Sequence, residues 1–289
     1  MGNKLPFLNV GCGSSFHKDW TNVDFISTGE GVIAHNLLNG IPFPDNSFDV
    51  VYHSHVLEHF SKNDGIKFMS ECYRVLKNGG ILRIAIPDLE KIIQEYIRLL
   101  SELKENENDL YLNASYDWIM IELYDQILRN RSGGYMVEFL KQNPIINEDF
   151  VLKRCGYEVK GIIDYFRVQK NNLPGKNHEN PSGIAVLLKR NMSRLRTLPN
   201  KVRSNMRKKI LGKDFQYYYE IGKFRSSGEI HQWMYDAFSI RRLLKGTGFN
   251  DPAILTAFES SIPGWEKFNL EMVDGNVRKP DSLFVETTK

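Results

Sequence analysis

Three groups of residues in this 289-residue chain have the types and spacing to do chemistry. The first is Leu8-Asn9-Val10-Gly11-Cys12-Gly13-Ser14-Ser15, followed by Asn22-Val23-Asp24. Glycines directly after an apolar run let a ligand lie close to the backbone, because no Cβ stands in the way. An acid ending the next strand can accept hydrogen bonds from both ribose hydroxyls of an adenosine. A dinucleotide site asks for a third glycine and an acid about 20 residues further on. Here only Gly11 and Gly13 are present, Asp24 follows quickly, and no Gly-Lys-Ser/Thr phosphate loop occurs. An adenosine cofactor without phosphates fits this pattern better than a nicotinamide one.

The second group is His55-x-x-Glu58-His59. Its ligand order is that of the inverted zinc peptidases, with two histidines one helical turn apart. The group directly follows a predicted strand, however, and is expected to hold no metal. Two alternatives stay open: a divalent ion on His55, Glu58 and His59, or an ordinary structural hydrogen bond for His59. The third group is Asp88, just after Pro87, with His231, Trp233 and Tyr235 further along the chain. Ligands in open α/β sheets bind outside the carboxyl ends of the strands, and Asp88 would stand at such an end.

The elements that must position these groups are short near the start. Leu5 to Val10, Phe48 to Tyr52 and Ile81 to Ile86 read as buried strands. Between the last two, Ile66, Met69, Cys72, Tyr73 and Leu76 recur at helical spacing, with Ser61 or Asn63 as cap and Gly79-Gly80 beyond the end. Strand, crossover helix and strand imply a parallel sheet. From residue 88 to about 230 longer helical patterns take over, including Asp88 to Leu103 and Trp118 to Arg129. In the latter, Met120, Leu123, Tyr124, Ile127 and Leu128 form an apolar stripe, and Glu122, Asp125, Gln126 and Arg129 form the opposite, solvated or pocket-lining face. A helix from Ala237 to Leu244, a strand from Ile254 to Phe258, a turn at Asp274-Gly275 and a strand from Ser282 to Thr287 follow. The expected organisation is one α/β domain from residues 1–90 and 231–289, with a mainly helical insertion over 91–230 that covers an acceptor.

Composition narrows the class of partner. Hydrophobic content of 42%, charged content of 25% and net charge of +3 suit a globular protein and do not by themselves call for nucleic acid. No apolar run approaches the roughly 20 residues of a membrane span. Cys12, Cys72 and Cys155 are few and scattered, which suits a reducing cytoplasm rather than a disulfide framework. Between Lys189 and Lys213 ten basic residues occur without an acidic one. That segment reads either as a solvated face or as a contact for an anionic membrane surface or a phosphate-bearing substrate.

Beyond these readings, Ile41-Pro42-Phe43-Pro44-Asp45-Asn46-Ser47-Phe48-Asp49-Val50-Val51, His55-Val56-Leu57-Glu58-His59 and Glu71-Cys72-Tyr73-Arg74-Val75-Leu76-Lys77-Asn78-Gly79-Gly80 resemble, in order and spacing, the type 11 group of class I S-adenosylmethionine-dependent methyltransferases. The resemblance covers residues 5 to 90. The tail, at Gly246 to Phe249 and Lys279 to Glu286, is similar to predicted bacterial methyltransferases found among polysaccharide-biosynthesis genes, and Glu122 to Met136 match more faintly. The resemblance implies a Rossmann-like sheet with helices on both faces and a helical insertion before the last helix and two strands. It implies S-adenosylmethionine as cofactor, held by Gly11, Gly13 and Asp24, with Asn36 where Asp is more usual for reading the adenine amine. Leu37 would form an apolar wall, and Ser54 and His55 would lie near the sulfonium. His55 is the preferred general base for a hydroxyl acceptor, with Asp88 and His231 in reserve. The acceptor it suggests is a sugar or glycan precursor, or another small molecule. RNA and a non-catalytic scaffold are the alternatives.

Overall fold

The structure, a computed structural model, describes residues 5–171 and 214–289. Its centre is a seven-stranded sheet. The strands are β1 (Phe7–Val10), β2 (Thr21–Asp24), β3 (Val32–Ala34), β4 (Phe48–Ser54), β5 (Leu76–Pro87), β6 (Asn250–Leu255) and β7 (Ser282–Thr288). They lie in the order β3-β2-β1-β4-β5-β7-β6. The first five pair in parallel, while β7 runs antiparallel between β5 and β6. The chain reverses direction across β1, sending β2 and β3 to one side and β4 and β5 to the other. The carboxyl ends of β1 and β4 therefore flank a crevice at the switch point.

One face of the sheet packs against α1 (Lys62–Val75) and α7 (Ala237–Gly246). Val10, Val51, Leu82, Ile84 and Val285 from the strands meet Phe68, Met69, Cys72, Ile240 and Leu244 from the helices. Each such side chain, buried fully, contributes roughly 1.5–3 kcal/mol of apolar transfer. Ser61 caps α1 by accepting from Asp64 N, and Asp236 with Ser239 forms a reciprocal capping box on α7.

The other face is covered over β1, β4 and β5 by the connection from β6 to β7. The β1–β2 connection, residues 11–20, contains no helix. In place of a crossover helix, Trp20, Trp265 and Phe268 pack on Phe7, Val50 and Tyr52. Beneath them lies Arg83 of β5, wholly buried. Its guanidinium donates to Glu271, Glu286 and the carbonyls of Thr256 and Glu259, and stacks 4.5 Å from the Trp265 ring. One arginine thus neutralises two buried carboxylates and satisfies loop carbonyls that no strand partner reaches.

Between β5 and α7 the chain builds a separate helical body with its own apolar core. It comprises α2 (Leu89–Glu105), α3 (Leu110–Met120), α4 (Gly134–Leu140), α5 (Glu148–Asn171, two helical stretches joined by a kink at Gly156) and α6 (214–225). Ile92, Leu99, Trp118, Phe139, Val151 and Ile163 are buried among one another there. The expected amphipathic helix from Trp118 to Arg129 is interrupted by a π-helical stretch, Ile121–Asp125. The extra residue per turn rotates the face that follows. Glu122 and Asp125, read above as solvent- or pocket-facing, are consequently buried, while Tyr124 and Leu128, read as core, are exposed. Glu122 pairs with Arg154 through two hydrogen bonds of 2.8 and 2.6 Å. Asp125 accepts from the backbone N–H of Tyr135 and Met136, satisfying the first turn of α4. The basic segment 189–213 lies outside the described residues.

Candidate functional site

Three segments meet at the switch point. The first is the turn after β1. Gly11 N and Cys12 N both donate to Val23 O, which holds the turn against β2. Gly13 has φ of +53°, a conformation that costs a side-chain-bearing residue roughly 1–2 kcal/mol. Its N–H donates to Asp24 Oδ2 at 2.7 Å, and its carbonyl accepts from the Thr28 hydroxyl. A Cβ built on Gly13 would meet nothing within 4 Å, so the space before it is open. Gly11 differs: a Cβ there would stand 2.4 Å from Val56 Cγ2. Packing of the β1 turn on the loop after β4 therefore demands glycine at 11, whereas open space and φ accompany it at 13. Asp24 is half-buried, and its Oδ1 accepts only a long 3.4 Å contact from Ile26 N. That leaves carboxylate lone pairs facing the same space. Asn36 caps the short turn Leu37–Asn39 by accepting from Leu38 N, and Leu37 packs against the sheet core.

The second segment is the loop after β4. His55 adopts φ of +53°, uncommon for a non-glycine residue, and is pinned by its N–H to Ala85 O. Nε2 of its ring lies 2.8 Å from the Ser282 hydroxyl, and Nδ1 lies 3.2 Å from Glu58 Oε1 without forming a hydrogen bond to it. Glu58 is fully buried and sits among His55, His59 and His231. Burial raises the cost of its charge, yet the surrounding imidazoles hold its carboxyl below the usual range. Beside His55 is a cavity of about 10 Å³ with a mixed lining, Ser54, Arg278, Lys279 and Ser282 on its polar side and Ala85, Leu270 and Phe284 on its apolar side.

The third segment is the return from the helical body. The backbone N–H groups of Gln232 and Trp233 donate to Glu58 O, and the Gln232 side chain donates to His59 O. This lashes residues 230–233 across 58–59 and brings His231 Nε2 within 4.0 Å of Glu58 Oε1. Burial lowers the His231 pKa to about 3, so the ring is neutral near pH 7. Two of the three base candidates, His55 and His231, thus flank one carboxylate oxygen. Asp88 stands apart from them. It caps α2, accepting from Glu90 N and Lys91 N, and pairs with Lys91 Nζ at 3.4 Å. Its backbone N–H donates to Asp281 O. The pocket residues Arg278, Lys279 and Ser282 carried no role in the sequence analysis, and Glu58 carried only that of an optional ligand of a divalent ion. Only Glu58 had a local signal, its place in the His-x-x-Glu-His run.

With this geometry in hand, the comparisons with known proteins are specific in kind but short in extent. Residues 26–84 match the sequence model of a family described as Methyltransferase domain. A protein of Mycolicibacterium smegmatis described as a probable S-adenosylmethionine-dependent methyltransferase is 43% identical over 56 residues, 19% of this chain and 21% of that protein. An Aspergillus luteorubrus protein described as a probable methyltransferase, ltbC, is 46% identical over 48 residues, 16% of this chain and 17% of that one. The chain spans from about a fifth to about half the length of the curated relatives it matches. Among solved structures, a SAM-dependent methyltransferase from Archaeoglobus fulgidus aligns over 100% of this chain and 87% of its own, with 13% identity and a TM-score of 0.36.

The matched segment, residues 26–84, is similar to methyltransferase domains, and S-adenosylmethionine is the cofactor in the description of one of the relatives. The residues present fit that group. Gly13 leaves open space where an adenosine can approach, and Asp24 retains acceptor capacity for ribose hydroxyls beside it. No phosphate-binding helix N-terminus follows β1, and this cofactor has no phosphate to place there.

Proposed function

We propose that this chain is an S-adenosylmethionine-dependent methyltransferase acting on a hydroxyl of a sugar or glycan precursor. The observation that carries the reading is the Gly13–Asp24 clasp, open in front, at the switch point of a β3-β2-β1-β4-β5-β7-β6 sheet. Asp24 holds the ribose hydroxyls, Asn36 accepts from the adenine amine, and Leu37 walls the ring. When bound, the cofactor supplies a methyl group already activated by its sulfonium. What remains for the protein is alignment, which is worth roughly 7–11 kcal/mol at near-attack geometry.

His55 takes the acceptor proton at Nε2, the nitrogen now on the Ser282 hydroxyl. The deprotonated oxygen would then accept the methyl group that the cofactor, held by Gly13, Asp24 and Asn36, would supply. Glu58, 3.2 Å from Nδ1, stabilises the imidazolium that results. Such base assistance contributes about 10²–10⁴ in rate. The described helices α2 to α6 cover the acceptor, and Ser282, whose hydroxyl lies 2.8 Å from His55 Nε2, stands where the acceptor hydroxyl would be received. Support for a glycan acceptor is the resemblance of the tail at Gly246 to Phe249 and Lys279 to Glu286.

The test is calorimetric titration with S-adenosylmethionine, S-adenosylhomocysteine and NADH, followed by a methyl-transfer screen over sugars, nucleotide-sugars and RNA. Binding of both sulfur cofactors, lost in Asp24→Ala, with transfer to a sugar is the expected result. NADH binding alone overturns the cofactor reading, and transfer only to RNA overturns the acceptor.

A further inference from the structure

Glu58 poses a physical problem that methyl transfer does not answer. Its side chain is fully buried, and both carboxylate oxygens lack a hydrogen-bond donor. His55 Nδ1 is within 3.2 Å of Oε1 but off the line of a hydrogen bond. No lysine or arginine pairs with this carboxylate among the described residues. A buried carboxylate left without a partner costs several kcal/mol, so native chains hold such groups against a cation or donors.

The neighbours supply the rest of a coordination sphere. His59 Nδ1 is 3.1 Å from Ile230 O. A carbonyl only accepts, so Nδ1 carries the proton and Nε2 keeps its lone pair for an ion. A histidine oriented by a backbone carbonyl in this way is the usual outer support of a metal ligand. His231 adds a second neutral imidazole, packed edge-to-face on His59 at 5.0 Å between centroids. Ligand atoms of Glu58, His59 and His231 all lie within 4.8 Å of one another. Around a tetrahedral ion with bonds near 2.0–2.1 Å the separation is about 3.3 Å, so closure asks for shifts of about 1 Å per atom.

We propose that Glu58, His59 and His231 bind one divalent first-row transition ion, with zinc as the type case. Two imidazoles and one carboxylate suit zinc or its neighbours and are too nitrogen-rich for magnesium or calcium. The three ligands leave a fourth position open, the arrangement of a catalytic rather than a structural site. His55 steadies Glu58 from outside that set. The site is anchored by backbone hydrogen bonds between 58–59 and 230–233, and it shares Glu58 with the role proposed for that carboxylate beside His55.

The experiment uses full-length, chelator-treated protein titrated with Co(II), followed by visible d–d absorption, and then with Zn(II) in competition. One equivalent of Co(II) with tetrahedral-type bands, displaced by Zn(II), is expected. Glu58→Gln and His231→Gln should each weaken binding by at least about 100-fold, beyond what loss of an outer-shell partner does. Metal-free Glu58→Gln should melt above metal-free wild type, because it removes the uncompensated charge, and Zn(II) should raise the melting temperature of wild type only. Absence of the bands, or unchanged affinity in a folded variant, overturns the proposal. If a variant does not fold, the wild-type stoichiometry and bands decide by themselves. S-adenosylhomocysteine affinity is measured in parallel, so loss of the metal site and loss of the cofactor site read out separately.

Discussion

Substituting the two glycines of the β1 turn separates a packing role from a ligand role. Gly11 and Gly13 both have positive φ, +68° and +53°, so alanine at either costs about 1–2 kcal/mol in the backbone. At Gly11 the new methyl also stands 2.4 Å from Val56 Cγ2, more than 1 Å inside the usual 3.5–4.0 Å carbon contact. Overpacking of that kind adds about 1–3 kcal/mol. Gly11→Ala should therefore lose about 2–5 kcal/mol of stability, the sum of those two ranges. Gly13→Ala should lose only the backbone part, because its methyl points into open space. If that space belongs to the cofactor, the methyl costs at least about 1.4 kcal/mol of binding, or tenfold. Urea unfolding gives the first quantity, and calorimetry with S-adenosylhomocysteine gives the second. A Gly13→Ala protein that binds within threefold of wild type would sink the assignment of this turn to the cofactor.

Three further outcomes follow from the same geometry. His53 is fully buried and neither ring nitrogen has a partner; burial lowers its pKa to about 4. Below pH 6.5 the unfolded chain takes up a proton that the folded one refuses, so stability falls as pH drops from about 6.5 towards about 4 and levels off beneath. This one residue removes about 2 kcal/mol between pH 7.5 and 5; urea unfolding at both values should show His53→Leu losing that much less, and an unchanged difference refutes the burial argument. Arg83→Ala leaves Glu271 and Glu286 buried without their cation and should cost about 3–5 kcal/mol, and a loss below about 1 kcal/mol would show that neither carboxylate is charged in the fold. Asp125→Ala removes the acceptor for two N–H groups of α4 and should cost about 0.5–2 kcal/mol by thermal denaturation, which a solvent-facing aspartate would not do.

The legible parts of this fold are those whose signals are local. The run Leu5 to Val10, the helical spacing from Ile66 to Leu76 and the cap at Ser61 each involve residues a turn or a strand apart. The structure puts α1 at Lys62–Val75 and β7 at Ser282–Thr288, close to their expected bounds. β3 escaped because it has only three residues, two of them exposed, so no periodicity marks it. The strand expected at Ile254 to Phe258 lies at Asn250–Leu255 instead, with Pro252 inside it. Proline there lacks a donor, but β6 is the outermost strand and tolerates the loss.

Burial of Glu122 and Asp125 shows a different kind of illegibility. A polar residue on the far side of an apolar stripe is assigned to solvent only if the helix keeps 3.6 residues per turn. The π-helical stretch breaks that premise, and nothing in Ile121 to Asp125 announces it. What stabilises it lies elsewhere: Arg154 on α5 and the N–H groups of α4. The same holds for the site. Gly13 and Asp24 are eleven residues apart and readable together, and His55, Glu58 and His59 fall within one turn. Ser282, Lys279 and His231 join them only because β7 returns beside β5 and residues 230–233 lie across Glu58. The cofactor contacts proposed for this chain are therefore written locally, in a strand and the turn after it. The groups offered to an acceptor or an ion are assembled by the fold, so a metal ligand such as His231 becomes visible only beside the carboxylate it faces.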